Sequence, residues 1–326
     1  MKVCVTGASG FVGSHLAEAL VREGYAVKAI AQASSDISLL EKLDVEIFRG
    51  DIADGAAVEK AVGGCSHVYH LAAKTSRARA AWRDYDRVNV LGAETVARAA
   101  LKAGVERVVF CSSAGVYGAI RRPPVDEHTK PSPNSHYRRS KLLGEQVLMD
   151  YYKKERVPVV IARIGSVFGP RSLNWLGLFQ SIASGRFRLK GKGENHVHLG
   201  YVSDIVRGLR LCGEKPGIDG ECFLIAGTAP ISLRDWVDMI AEELGIAGRP
   251  ASVTALPYRA FHVLAQLVYQ RLGVELPYAH RAEFFLTDNI FDISKARRDL
   301  GYAPSVSTAE GTRWSIQWCR EKGYMA

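Results

Sequence analysis

TGASGFVGSH, residues 6–15, follows directly on the apolar run Val3–Val5 and sets Gly7, Gly10 and Gly13 at the end of the first strand. There a tight turn needs one glycine, close approach of a pyrophosphate needs a second, and close packing of helix on strand needs a third. A helix opening at Phe11 offers its free N–H groups and positive dipole end to phosphates. A bare glycine turn is the alternative. The position of the motif, near the start of the chain with repeated strand–helix units behind it, favours the nucleotide.

Strand-like runs recur outward from this point at KVCVT, YAVKAI, VEIFRG, HVYHLAA, RVVFCSS and PVVIAR. Apolar residues at helical intervals separate most of them, at 12–21, 88–101 and 142–151. That alternation predicts an α/β fold with a doubly wound parallel sheet covered by helices on both faces. After Arg163 the pattern changes to glycine-rich loops, one more strand-like run (CFLIA, 222–226) and a helix opening at Ser232, where Ser232 and Asp235 have capping-box spacing. The reading is a dinucleotide-binding domain over 1–165 and a smaller C-terminal α/β substrate lobe over 166–326. Part of that lobe, about 200–228, returns to the sheet. A cleft is expected between the two, at the carboxyl ends of the strands.

The chain has 326 residues, 47% hydrophobic and 24% charged, which suits globular material and excludes extensive disorder. Its formal charge of +9 is spread without long runs, favouring a phosphorylated small ligand over nucleic acid. Six cysteines are scattered with no Cys-x-x-Cys pair and read as buried thiols of a reducing compartment. No export signal is read at the N-terminus, and a cytoplasmic location is expected. The most lipophilic later stretch, AFHVLAQLV at 260–268, is interrupted by His262 and Gln266 and is too short to span a bilayer. No metal-ligand cluster is visible around the histidines.

The glycine spacing, Gly-x-x-Gly-x-x-Gly, resembles that of short-chain dehydrogenase/reductases. GDIAD (50–54), HLAA (70–73), Asn89, SSAGVYG (112–118), YRRSK (137–141), RIGSVFGPR (163–171) and FDISKARRDLGYAP (291–304) narrow the resemblance to the extended subgroup, the NAD(P)-dependent epimerase/dehydratases. It covers nearly the whole chain and implies a Rossmann-like fold. The resemblance also implies cofactor contacts from Gly7, Gly10, Phe11, Val12 and Gly13, from Gln32, Asp51 and Ile52, from Leu71, Ala72, Ala73 and Asn89, and from Tyr137, Lys141, Ile164 and Val167.

Tyr137 and Lys141 stand four apart and share one helical face. A phenol with pKa near 10 is a poor base at neutral pH, and an adjacent ammonium stabilises its phenolate. By resemblance Lys141 also meets the nicotinamide ribose, Ser113 holds the substrate oxygen, and Tyr137 exchanges the hydroxyl proton during hydride transfer. Dehydratases of the family carry an acid directly after the catalytic Ser/Thr. Here Ala114 and Gly115 stand there, which disfavours elimination. At the end of the second strand Ala31 and Gln32 supply neither an acid for a ribose hydroxyl nor an Arg for a 2′-phosphate. Either cofactor is admitted, with a slight lean to NAD over NADP.

On the substrate side the resemblance points to Lys74, Ser113, Ser166, Arg171 and His198. Val197 occupies the place of a pyrophosphate-clamping Arg, for which His196, His198 and Arg171 are possible substitutes, although each histidine reads first as an ordinary packed or solvated side chain. Phe261, Leu264, Ala265, Val268 and Leu272 share a helical face that reads as core, with a lipophilic lid or a membrane-surface contact as the alternative. The expected function is nucleotide-sugar epimerisation through transient oxidation of a sugar hydroxyl. The alternative is oxidation of a lipophilic alcohol, as in 3β-hydroxysteroid dehydrogenases, or ketone reduction. A non-catalytic dinucleotide sensor comes third. A homodimer through helices near 88–102 and 138–152 is expected, as in most of the family.

Overall fold

The computed structural model describes residues 1–75, 80–277 and 279–325. Seven strands form its main sheet: β1 (Lys2–Thr6), β2 (Ala26–Ala31), β3 (Val45–Arg49), β4 (His67–His70), β5 (Arg107–Ser113), β6 (Val159–Ile164) and β7 (Cys222–Ile225). Their spatial order is β3-β2-β1-β4-β5-β6-β7, and every neighbouring pair is parallel. The order reverses between β1 and β4, and at such a switch point an open α/β sheet leaves a crevice beyond its strand ends.

Both faces are covered, which explains why the strands read as apolar runs and do not alternate. On one face lie α1 (Phe11–Arg22) and, from much later in the chain, α6 (Val202–Glu214). On the other lie α2 (Gly55–Val62), α3 (Gly92–Ala103) and α4 (His136–Glu155). β4 is shorter than HVYHLAA suggests. After His70 the chain leaves the ladder, Leu71 N bonding to Thr6 O and Ala72 N to Thr6 Oγ1, and crosses above the glycine turn.

The rest of the chain contributes α5 (Leu176–Ala183), α7 (Leu233–Glu243), α8 (Leu256–Leu272), α9 (Ala279–Leu286), α10 (Thr308–Glu321) and three two-stranded pairings. Its core is aromatic. Trp236 is fully buried, meets Trp175 edge-on at 5.0 Å and bonds Thr312 through its indole N–H. The expected cap at Ser232 is present, its Oγ accepting from Asp235 N. The 291–304 motif docks on β7: Lys295 Nζ reaches Cys222 O, and the Tyr302 hydroxyl donates to Ala226 O at 2.8 Å.

One buried network fixes α4 to the sheet. Arg163 on β6 forms a two-pronged pair with Glu145 on α4, Nη2–Oε2 2.7 Å and Nε–Oε1 3.0 Å. The Ser112 hydroxyl donates to the same carboxylate, and Arg163 Nη1 donates to the Tyr117 hydroxyl, which in turn donates to Asp126 O. Removing one partner of such a pair strands the other charge in the interior. Glu145→Ala is expected to lower stability by roughly 3–5 kcal/mol, read as a shifted denaturant midpoint at unchanged slope. An unshifted midpoint would show the network to be dispensable.

Candidate active site

The glycine turn takes its shape from sterics. Gly7 has φ +72°, and a Cβ there would stand 2.6 Å from Ala72 N. A Cβ on Gly13 would lie 2.1 Å from Gly7 O, so α1 can approach β1 this closely only with glycine at that position. Gly10 faces the cleft, where a Cβ would be crowded against Gly7 O at 3.2 Å. Side chains cap the N-termini of α2, α4, α7 and α10 through Asp54, Ser135, Ser232 and Ser307. At α1 no side chain does so. The first N–H groups of α1 therefore point unsatisfied into the cleft, the arrangement that receives an anion.

The cleft has a volume of about 670 Å³ and runs along the carboxyl ends of the strands. Gly7, Gly10, Phe11, Val12 and Gly13 line its middle, Gln32 and Ile52 one end, and Leu71, Ala72, Ala73 and Lys74 the floor. Ser113, Tyr137, Lys141, Ile164 and Val167 line the other end. Asp51 stands at the rim, bonded by Gln32 Nε2 at 3.3 Å and by Arg87 at 2.7 Å. The rim carries an Arg that the sequence reading did not place there: Arg49 Nη1 donates to the carbonyls of Gln32 and Ser35. The length, the glycine cradle and the uncapped helix fit a dinucleotide with its phosphates at α1 and its reacting ring near Tyr137.

Ser113 Oγ accepts from Gly115 N at 3.0 Å and hydrogen-bonds the Tyr137 phenol. Lys141 is buried one turn further along α4, with Nζ 4.1 Å from the centre of the Phe110 ring. Burial pushes the Tyr137 phenol up to about 12, reinforced by Cys111 and opposed by the Ser113 bond and the Arg138 charge. Burial also pulls the Lys141 ammonium down to about 8, against the Cys111 thiol and the Glu145 carboxylate. In the free protein Tyr137 thus keeps its proton at neutral pH and is set to donate it.

Several expected contacts fall elsewhere. Asn89 is buried behind the cleft wall and does not line it. Its amide brackets the Lys74 backbone and donates to Ser140 Oγ, which donates to Tyr137 O, so Asn89 positions the floor and the first turn of α4. Arg171 does not reach the cleft, because its guanidinium is held on α1 by Ser14, His15 and Glu18. His198 is a packed core residue: Nε2 bonds Gly227 O, Nδ1 faces Phe291 N, and its ring stacks on Phe291. His196 is exposed and pairs with Asp288, Val197 is buried, and Ser166 is exposed outside the cleft lining. None of the proposed substitutes for a pyrophosphate clamp enters the cleft.

Asn174, Arg87 and Asp84 line the cleft without having been singled out. Arg87 lies two residues before Asn89 and was legible by that neighbourhood, whereas Asn174 follows a loop with no pattern. Trp82, Tyr85, His136 and Tyr269 gather beside Tyr137, their rings 5.6–6.1 Å from His136. Arg138, paired with Glu283 and Asn134, occupies the space over Gly115: a Cβ there would be 3.2 Å from its Nε. A longer residue at 115 would press on both Arg138 and Ser113.

The sequence pattern of the NAD-dependent epimerase/dehydratase family matches residues 3–226. The chain belongs to this family. It is 30% identical to the 4-hydroxy-2-methyl-3-oxo-4-farnesyl-3,4-dihydroquinoline-1-oxide ketoreductase of Stigmatella aurantiaca, over 95% of this chain and 94% of that protein. It is 28% identical to a dTDP-glucose 4,6-dehydratase of Streptomyces antibioticus, over 98% and 93%. The solved UDP-glucuronic acid 4-epimerase of Bacillus cereus, in complex with NAD, superimposes with a TM-score of 0.81 at 25% identity over the whole of both chains. Family membership establishes an epimerase/dehydratase-type oxidoreductase. With a dehydratase among the relatives, it does not exclude elimination, against which only Ala114 and Gly115 speak. Among the described residues no helix is long and apolar enough to cross a membrane.

The buried lysine yields a signed expectation. Its folded pKa lies below the unfolded value, so the unfolded chain binds the extra proton between about pH 8 and 10.5. Wild-type stability therefore gains as pH rises through that window, and the penalty of the buried charge is complete below it. Lys141→Met should raise the stability of the cofactor-free protein at pH 7 by ~2–3 kcal/mol, abolish that pH-dependent gain and abolish turnover. A variant less stable than wild type by calorimetry would refute this.

Proposed function

We propose that the protein transfers hydride between a dinucleotide and a secondary alcohol or ketone carried by a lipophilic molecule, in the reducing direction by preference. The observation that carries the reading is the commitment of Arg171, His196 and His198 to other partners, with Val197 buried where a clamp would stand. A nucleotide diphosphate would find no cation from these positions, while Trp82, Tyr85 and Tyr269 pack around His136, the residue before Tyr137, and make its surroundings aromatic. The farnesylated ketone named for the Stigmatella relative supports the same chemistry. The solved UDP-sugar epimerase supports the second reading, epimerisation of a nucleotide sugar.

When bound, the dinucleotide supplies or accepts the hydride. Ser113 Oγ holds the carbonyl oxygen, and Tyr137 Oη delivers its proton as charge develops there. Lys141 then stabilises the phenolate left behind. Ser140 and Asn89 keep the first turn of α4 in register, and the α1 N-terminus holds the phosphates. Of the two cofactors we favour NAD: Asp51 puts a carboxylate at the rim, and a solved relative holds NAD. Arg49 stands where the 2′-phosphate of NADP would be met.

The deciding assay incubates the protein with hydroxysteroids, long-chain 3-oxo esters and UDP-, dTDP- and GDP-sugars, each with either cofactor. Stoichiometric change in cofactor absorbance with a lipophilic substrate is expected, and Tyr137→Phe should lower kcat by roughly 10³-fold with dinucleotide affinity retained. Isomerised sugar nucleotide without net cofactor change would replace this reading with the epimerase.

We also propose a homodimer through α3 and α4, whose outer surfaces form a groove of about 550 Å³ flanked by exposed Leu101 and by Tyr151. Light scattering should give twice the chain mass of 35.7 kDa, and Leu101→Asp should shift it toward one chain. A single-chain mass for the wild type at micromolar concentration would exclude it.

A further inference from the structure

Helix α8 has two apolar faces, and the fold uses one. Ala265 is buried, and Tyr258, Phe261, His262, Val268 and Tyr269 are half-buried against the protein. The opposite face presents Leu256, Ala260, Val263 and Leu267 at intervals of four, three and four residues, a helical stripe, with Leu264 beside it. These leucines and the valine are 50–73% exposed. Seven of the thirteen large apolar side chains exposed among the described residues lie between Val253 and Val274. A concentration of that kind marks a contact surface, whereas apolar residues scattered singly do not.

The charges around the stripe select its occupant. From Leu244 to Val274 there is no Asp or Glu and there are three Arg. Arg249 is paired with Asp238, whereas Arg259 and Arg271 pair with no acidic group among the described residues. By helical spacing Arg259 lies along one edge of the stripe and Arg271 along the other, both free to extend from its rims. The short strand Leu189–Lys190 pairs with Ser252–Val253 just before α8 and is preceded by exposed Arg186 and Arg188, while Lys192 after it is paired with exposed Glu194. A second protein or a second copy of this chain would be expected to meet a mixed rim. An apolar centre with cationic edges suits a plane of hydrocarbon below anionic headgroups.

We propose that α8 lies in the surface of an anionic phospholipid bilayer, its Leu256–Leu267 stripe among the acyl chains and Arg259 and Arg271 at the headgroups. The docking needs nothing of the substrate and stands apart from the reading of the reaction. Its inner face meets the start of α4: Tyr269 packs on His136, one residue before Tyr137, and just past the end of α8 the Glu275 carboxylate accepts from His136 N. The bilayer and the catalytic helix would be separated by one helix diameter, about 10 Å.

The test is flotation of the full-length protein with vesicles of phosphatidylcholine alone or mixed equally with phosphatidylglycerol. Binding to the mixed vesicles, weakened by salt, is expected, with little on the neutral ones. Val263→Asp with Leu267→Asp should cut the bound fraction by about tenfold or more, and Arg259→Gln with Arg271→Gln should reduce it and flatten its salt dependence. Neither pair touches the cleft, so NADH affinity serves as the check on folding. If the aspartates fail that check, Leu267→Gln alone replaces them. Absence of binding to anionic vesicles, equal binding to neutral ones, or binding untouched by the stripe variants would overturn the proposal. A halved particle mass on substituting the stripe would assign the face to a second copy and overturn it equally.

Discussion

The site depends on the buried pair between Glu145 and Arg163. Helix α4 carries Tyr137, Lys141 and Glu145 at successive intervals of four, so one face presents the proposed proton donor, the cation and the anchor in a row. Arg163 holds the last of these to β6, Ser112 ties the same carboxylate to β5, and Ser113 follows Ser112 by one residue. The positions of the donor and of the hydroxyl beside it are thereby set by a single carboxylate. Hydrophobic packing alone would let α4 slide along the sheet by fractions of a turn. A two-pronged ion pair admits one register.

Against that fixed frame the reacting groups are held out of equilibrium with their own preferences. The Lys141 ammonium and the Tyr137 phenol share a low-dielectric corner in which neither ionised form is comfortable. In the proposed reaction each would become the partner of the other once the phenol has lost its proton. On that proposal the interior weakens the resting state relative to the charge separation that accompanies reaction, at some expense of stability. At the other end of the cleft the same principle acts through backbone, where α1 keeps its first N–H groups free for lack of a cap.

Much of this was legible in the sequence because it rests on local rules. Three glycines at fixed offsets, strands alternating with helical spacing and the Tyr137–Lys141 interval each report a short-range constraint, and all of them converge in one cleft. The substrate side was not legible. Arg171 and His198 are the right residue types in the right neighbourhood, yet Arg171 is drawn to Glu18 on α1, and His198 turns inward to a carbonyl. Such choices are made by partners far away in the chain. The amphipathic stretch at 260–272 illustrates the same limit. Of the face read there as core, Phe261, Ala265 and Val268 do pack inward, but Leu264 and Leu272 are exposed, and that the opposite face is apolar too appears only once the helix has a neighbour on one side. Likewise Glu145 carried no motif of its own in the sequence, and only the sheet revealed its counterion.

The order of strands also bears on how the polypeptide is made. β7 closes the edge of the sheet beside β6, yet it is drawn from Cys222–Ile225, after α5 and α6 have been passed. While the ribosome is still short of that segment, a nascent chain has β6 as an open edge, with Ile161, Ala162, Arg163 and Ile164 lacking their β7 neighbours and Val160 and Ala162 lacking the core that α6 completes. Open apolar edges recruit other chains. Synthesis therefore passes through an interval in which six of the seven strands of the sheet are available and its edge is still open, and it is there that chaperone protection would matter most.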